Sequence, residues 1–343
     1  MTSPRLKAAV IGVGHFGRHH ARIYSQLPDV ELVAVVDVNP ERAAQIAQSA
    51  HTTSCQDYHE VLDAVDLVSI ATPTPSHFDV ARDFLNARKA VLIEKPMAAT
   101  FAQSQELVDL AARARVPLQV GYVNRYSQLM RKISEIEINP GFLEVHRLNA
   151  FNFRAADQGV VLDMMIHDID LVLLLVRQPV VDVQAVGMGI IGKTEDLANA
   201  RITFANGCVA NLTASRLAMK PMRKVRVFSL DSYVSLDFDA NHAFIVRKAP
   251  GFAHGSFDAD QLKTKSPDQL KTLVFSDLCT VDEFTFDKHE EPLKLQLESF
   301  VRCVRDHTEP EVSGAEALKT MQVADLILKA IERNDWNSSR KPR

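Results

Sequence analysis

The chain lacks the features that mark several common protein classes. Its four cysteines, Cys55, Cys208, Cys279 and Cys303, are scattered, with no C-x-x-C pair. That pattern argues against a zinc cluster or a disulfide framework, and no metal site is expected; it fits a reducing cytoplasm. No apolar run approaches the roughly 20 residues that span a bilayer, so no membrane partner is expected. Met1 to Lys7 carries no h-region and no cleavage site, and the expected location is cytoplasmic. Positive charge is not in excess: 39 Lys and Arg stand against 43 Asp and Glu, which gives no general reason to expect nucleic acid. Internal repeats are missing too.

What remains is globular core material in quantity. The 343 residues are many for one domain and comfortable for two, and 46% of them are hydrophobic. The most informative stretch is Leu6 to Tyr24, LKAAVIGVGHFGRHHARIY. A short apolar run is followed by Gly12, Gly14 and Gly17 in the pattern G-x-G-x-x-G, with His15 and Phe16 inside the turn, and then by a helical pattern. Strand, glycine turn and helix form the context in which this motif binds a dinucleotide. Gly12 allows a tight turn, Gly14 lets the backbone approach a pyrophosphate, and Gly17 lets the helix pack on the strand. The helix N-terminus presents unpaired N–H groups and a positive dipole end to the phosphates. A second apolar run, Val30 to Val36, ends in Asp37, twenty residues past Gly17. A carboxylate there accepts hydrogen bonds from an adenosine ribose and repels a 2′-phosphate, so NAD is expected over NADP. Arg42, nearby in sequence, works against that preference.

The first third of the chain alternates strand and helix. Asn39 and Pro40 open a helix, and Thr100 with Gln103 opens another. Strands ending near Ala71, Ile93 and Val120 lead into ATPTPSH (Ala71 to His77), Glu94-Lys95-Pro96 and Gly121. Repeated strand–helix units of this length imply a parallel sheet covered on both faces, an α/β domain of the doubly wound Rossmann kind. Ligands of such sheets lie at the carboxyl ends of the strands, so Gly12 to Gly17, Asp37, Thr72, Pro73, His77, Glu94 and Lys95 are expected on one rim as cofactor-binding residues. The pattern changes near Val123. Residues 1–122 are read as the dinucleotide-binding domain, 123–335 as an α+β substrate and oligomerisation domain whose final helices can pack back on the first, and 336–343 as a tail. Phe142 to Phe153 has strand character and Val160 to Val176 is helical. Strand-like runs then follow to Val246, with a hairpin signal at Asn206-Gly207. Ala249 to Lys271 reads as a long loop, and Pro292 to Arg305 and Ala315 to Arg333 as closing helices.

Lys95 sits just past a strand, with Pro96 stiffening its root; the plainer alternative is a surface lysine. Asp163 and His167, in VLDMMIHDID, are four apart and share one helix face. Polar groups in so apolar a run need partners. The carboxylate can orient the imidazole and raise its basicity, or the pair can simply serve the helix. Asp168 and Asp170 fall off that face and read as structural.

These residues resemble the glucose–fructose oxidoreductase, inositol dehydrogenase and MocA (Gfo/Idh/MocA) family. The glycine turn, Thr72 to His77, Glu94-Lys95-Pro96, Gly121 to Tyr126, the Asp163 to His167 spacing and the tail pattern PLKLQLESFVRCV … SGAEALKTMQVADLIL occur in the family's order. The resemblance implies a Rossmann domain followed by an open, mostly antiparallel sheet, pairing as a homodimer or homotetramer, and a catalytic set of Lys95, Asp163 and His167. It also implies a sugar or nucleotide-sugar substrate held by Lys95, Arg125, Tyr126, Arg154, Asp163 and His167. The stretch from Ala150 to Met222 is similar to a subgroup associated with lipid A synthesis, whose members oxidise C3 of UDP-N-acetylglucosamine. For a diphosphate, Arg125, Arg154, Arg216 and the run Lys220 to Arg226 are candidate cationic contacts. Lys224 and Arg226 also alternate with Val225 and Val227, as on a solvated strand face. The competing readings are a dehydrogenase of a free sugar or inositol-like polyol, and a non-catalytic NAD-binding sensor.

Overall fold

A computed structural model describes residues 4–151, 158–249, 266–272, 278–286 and 291–334. It divides into two compact units, Met1–Ser127 with Glu291–Lys329, and Gln128–Glu290 with Ala330–Arg343.

In the first unit the strands are β1 (Leu6–Ile11), β2 (Val30–Val36), β3 (Thr53–Cys55), β4 (Leu67–Ile70), β5 (Ala90–Ile93) and β6 (Leu118–Val120). All are parallel, in the order β3-β2-β1-β4-β5-β6. The helices are α1 (Gly17–Gln26), α2 (Pro40–Ala50), α3 (His77–Asn86) and α4 (Phe101–Ala114). β4 and β5 are buried at every residue, as strands covered on both faces must be. The caps read from sequence are in place: the Asn39 side chain accepts from the Arg42 N–H with Pro40 behind it, and the Thr100 hydroxyl accepts from the Gln103 N–H. The core joins β1, β2 and β4 to Ile23 and Tyr24 of α1, and to Leu297, Phe300 and Val301.

In the second unit α5 (Gln128–Ser134) precedes β7 (Phe142–Leu148) and α6 (Ile166–Val176). There follow β8 (Val180–Met188), β9 (Leu197–Phe204), β10 (Val209–Ser215), β11 (Met222–Phe228), β12 (Ser232–Asp237) and β13 (His242–Lys248). A short α7 (Pro267–Thr272) and β14 (Cys279–Thr285) come next. The chain closes with α8 (Pro292–Asp306) and α9 (Gly314–Arg333), which through Lys329 belong to the first unit. The open sheet runs β14-β13-β12-β11-β7-β10-β9-β8 and is antiparallel except between β7 and β10. Asn206 and Gly207 do turn the β9–β10 hairpin: Gly207 has φ +82° and the Asn206 side chain accepts from the Cys208 N–H. Residues alternate between buried and half-buried along β7 and β9, so one face of the sheet is core.

Three details differ from the sequence reading. β7 stops at Leu148, five residues early. The loop expected over Ala249 to Lys271 ends in α7, and its residues 250–265 lie outside the described residues, as does the tail. Val161–Met165 is a turn of wider π-helix leading into α6. No helix among the described residues is long and apolar enough to cross a membrane.

Candidate active site

Gly12, Asp37, Thr72, Glu94 and Gly121 each follow the end of a parallel strand within two residues, so they share the carboxyl edge of the first sheet. β1 and β4 are the neighbours at which the strand order reverses, which is where such sheets bind ligands. The three motif glycines differ in what surrounds them. A Cβ on Gly12, whose φ is +82°, would lie 2.8 Å from the Thr72 backbone nitrogen. A Cβ on Gly17 would run into the Gly12 carbonyl oxygen. Around Gly14 there is open space within 4 Å. Two glycines therefore let protein pack on protein, and the third leaves room for something else. That room, beside the first turn of α1 with exposed His15 and Phe16, fits the diphosphate of a dinucleotide.

Asp37 is buried at the end of β2. Its carboxylate accepts from the Val13 N–H (3.0 Å) and the Asn39 N–H (2.9 Å). Arg42 grips it with both arms of the guanidinium, Nε to Oδ2 at 2.9 Å and Nη2 to Oδ1 at 2.7 Å. Burial pushes the Asp37 pKa up, but these donors outweigh it and hold the carboxyl below its ordinary value. A carboxylate that favours ribose hydroxyls and a half-exposed guanidinium that favours a 2′-phosphate thus stand together, and the geometry does not choose between NAD and NADP.

Further along the edge, Thr72 and Pro73 lead into a 3-10 turn, Thr74–Ser76, where the Ser76 hydroxyl donates to Thr72 Oγ1 (2.8 Å). His77 is buried, with Nδ1 2.9 Å from the Pro96 carbonyl oxygen and Nε2 2.8 Å from that of Thr72. Glu94 meets buried His20 of α1 at 3.2 Å. Lys95 is half-buried between Glu94 and Pro96. Arg125 and Tyr126 are buried in the 3-10 turn Val123–Tyr126, and burial raises the Tyr126 phenol pKa.

In the second unit Asp163 lies in the π-turn and His167 in the first turn of α6, both half-buried, while Asp168 and Asp170 are buried. Asp168 takes a bidentate grip from Arg147 of β7, at 2.6 and 2.9 Å, and so serves the packing of the helix on the sheet. Sequence reasoning missed what holds the start of this helix. Glu195, before β9, accepts from the Val161 N–H at 3.1 Å, and its carboxylate occupies the space a side chain on Gly159 would need. Beside it, buried Asp196 accepts from the N–H groups of Ile190, Ile191 and Gly192 and from Arg216 Nε at 2.6 Å. Arg216, considered above for a diphosphate, is buried on Asp196 and also donates to the Gln158 carbonyl. Arg223, Lys224 and Arg226 pair with Asp239, Asp237 and Glu144. Arg154 lies outside the described residues.

Comparison with known proteins agrees with this architecture. Residues 6–122 match the model of an oxidoreductase family with an NAD-binding Rossmann fold, Gfo/Idh/MocA, and residues 135–229 match the family's C-terminal domain. A UDP-N-acetylglucosamine 3-dehydrogenase of Acidithiobacillus ferrooxidans is 38% identical over 251 residues, 73% of this chain and 80% of the relative. A solved structure of the enzyme of that name from that organism superposes with a TM-score of 0.84, covering 96% of this chain and 99% of that one at 31% identity. A myo-inositol 2-dehydrogenase of Thermotoga maritima is 22% identical over 346 residues, 95% of this chain and 96% of the relative.

Proposed function

The chain belongs to the Gfo/Idh/MocA family of NAD-binding oxidoreductases and is an enzyme of the sugar-dehydrogenase type, and from that premise we propose that it oxidises C3 of UDP-N-acetylglucosamine to the 3-keto sugar with NAD. The observation that carries the substrate is the 38% identity to a UDP-N-acetylglucosamine 3-dehydrogenase over most of both chains. When bound, the nicotinamide supplies the hydride acceptor. Gly12, Gly14, His15, Phe16 and Gly17 with the α1 N-terminus would hold the diphosphate, and Asp37 the adenosine ribose. Thr72, Pro73, His77 and Glu94 would line the nicotinamide side of the rim.

The chain's own residues then divide the proton chemistry. His167 takes the proton of the reacting hydroxyl, and Asp163, one turn away, orients the imidazole and stabilises its cationic form. Lys95 binds the hydroxyl oxygen, and its positive charge stabilises the alkoxide that develops as hydride leaves. Arg125, Tyr126 and Arg154 contribute to substrate binding. The active form is a homodimer or homotetramer.

The test is direct. Purified protein is mixed with NAD and, in separate cuvettes, UDP-N-acetylglucosamine, free N-acetylglucosamine and myo-inositol, and NADH absorbance is followed. Turnover with the nucleotide sugar at least about tenfold faster than with the others, in kcat/KM, is expected. Preference for inositol would replace the substrate reading with a free-polyol dehydrogenase. Tight NAD binding with no turnover of any sugar would return the chain to the sensor reading.

A further inference from the structure

Lys95 can serve an oxygen atom only if its root is held still, yet it stands in a loop: β5 ends at Ile93 and α4 begins at Phe101. The backbone ties Glu94 back to β4, its N–H donating to the Ile70 carbonyl at 2.9 Å. Two buried imidazoles do the rest. His20, 0% exposed on α1, lies with Nε2 3.2 Å from Glu94 Oε1. Among the described residues its Nδ1 has no hydrogen-bond partner, so the ring's side-chain hydrogen bonding goes to Glu94. A buried polar ring retained for a single contact marks that contact as its purpose. Gly121 completes the socket from the end of β6: a Cβ there would come within 2.7 Å of Glu94 Oε1. On the other flank His77, 1% exposed at the start of α3, lies between the carbonyl oxygens of Pro96 and Thr72. A neutral imidazole carries one N–H, so it can donate to only one of these carbonyls at a time.

We infer that His20 and His77 are positioning residues that fix the Glu94-Lys95-Pro96 turn from both sides, and so set where the Lys95 amine can reach. The inference rests on the reading that Lys95 acts on the substrate oxygen. Neither histidine touches the reacting atoms. Each contributes through placement, and a displacement of about 1 Å in a reacting group costs on the order of 100-fold in rate.

Amide side chains separate placement from mere core filling. In His20→Gln the amide nitrogen reproduces the Nε2 donor to Glu94; in His20→Leu it is gone. In His77→Asn the amide reproduces the Nδ1 position facing Pro96; in His77→Gln it reproduces the Nε2 position facing Thr72. Steady-state kinetics of the full chain are expected to show kcat about 10- to 100-fold lower in His20→Leu and His77→Gln, with His20→Gln within about threefold of wild type and His77→Asn at least about fivefold above His77→Gln. A second readout needs no turnover: the rate at which an amine-reactive acylating reagent labels Lys95, followed by mass spectrometry. His20→Leu and His77→Gln are expected to label Lys95 at least about threefold faster than wild type, and the amide-retaining variants to match wild type. Lys95→Ala serves as the reference. If Lys95→Ala loses turnover while all four histidine variants keep wild-type kcat and labelling, the positioning roles are overturned and the role of Lys95 stands. If Lys95→Ala keeps its turnover but labelling follows the predicted order, the lysine's chemical role fails and the anchoring survives. Should His20→Leu not fold, the order of His77→Asn above His77→Gln decides; the reverse order or equality overturns the inference.

Discussion

The two units hold their candidate catalytic groups by different physics. At the edge of the first sheet the anchors are glycines and buried imidazoles: Gly12, Gly17 and Gly121 give up side chains so that backbone or carboxylate can close in, and His20 and His77 tie down what surrounds Lys95. In the second unit the helix bearing Asp163 and His167 is fastened by buried ions, Arg147 on Asp168 and Arg216 on Asp196, with Glu195 under its first N–H groups. A single hydrogen bond is worth about 0.5–3 kcal/mol net, depending on the charge of its partners. A buried ion pair is costly to break because it leaves a charge without its partner. The first arrangement makes the position of a side chain depend on fit, and the second makes the fold of the segment depend on charge.

One substitution in each region sets the upper end of the scale. Lys95→Ala and His167→Ala are each expected to lower kcat by about 10²–10⁴-fold while leaving the affinity for NAD within a few fold. Stopped-flow NADH formation and a cofactor titration check both at once. Near-normal turnover in either variant removes that residue from the chemistry. The double variant should be little worse than the poorer single one if the two act on one proton transfer, because residues that work as a unit are not additive.

Next comes the ion pair. Arg216→Met leaves Asp196 buried with its three backbone donors but without the guanidinium, and is expected to destabilise the second unit by about 3–5 kcal/mol in urea unfolding. Activity should fall with it, since Glu195 and Asp196 are adjacent and Glu195 holds the start of the helix that bears Asp163 and His167. A loss under about 1 kcal/mol, the value of a surface pair, would show that the contrast between the units is false.

The same contrast explains what could be read in advance. In a parallel sheet, the residue after a strand's last is placed by that fact alone, so Gly12, Asp37, Thr72, Glu94 and Lys95 were legible as a group before any coordinates. His20 was legible only as a polar residue on an apolar helix face; that it meets Glu94 depends on the packing of α1 across β1 and β4, which no local pattern encodes. In the second unit the helical period set Asp163 and His167 apart from Asp168 and Asp170, and the structure leaves the first two half-buried and the second two buried. The partners of the inward pair, and the caps at Glu195, depend on the register of β7, β9 and β10. Long-range register is set by the sum of many side-chain fits. The wide turn at Val161–Met165 was invisible for the same reason, because Glu195 reaches across from the loop before β9 to take the Val161 N–H.

Acid should tell the units apart more gently. Burial alone would raise the Asp196 pKa, but the N–H groups of Ile191, Gly192 and Ile190 and the Arg216 guanidinium bring it down to about 2. A carboxyl depressed in the folded state stabilises above its unfolded pKa, and that contribution is lost as pH falls through the folded value. Wild-type stability should therefore lose about 2 kcal/mol from this group between about pH 4 and pH 2. Asp196→Asn, less stable at neutral pH, should show a correspondingly shallower decline over the same window. Parallel acid curves for the two proteins would mean that the buried pair carries no such linkage.

The smallest effect concerns the Arg42–Asp37 ion pair on the first rim, where the contrast between the regions is weakest. Asp37 is buried, but Arg42 is half-exposed, so water screens the pair and its removal should change stability by under about 1 kcal/mol. Its consequence lies in cofactor choice. With Arg42 present, the carboxylate's repulsion of a 2′-phosphate is offset by a guanidinium that can turn from Asp37 to the phosphate as a bidentate donor. In Arg42→Ala the repulsion stands alone, and the ratio of kcat/KM for NAD to that for NADP should rise about tenfold, mostly through the KM for NADP. Asp37→Ala should move the ratio the other way by raising the KM for NAD. An unchanged ratio in Arg42→Ala would mean that the guanidinium only orients Asp37, and that selectivity lies in the carboxylate.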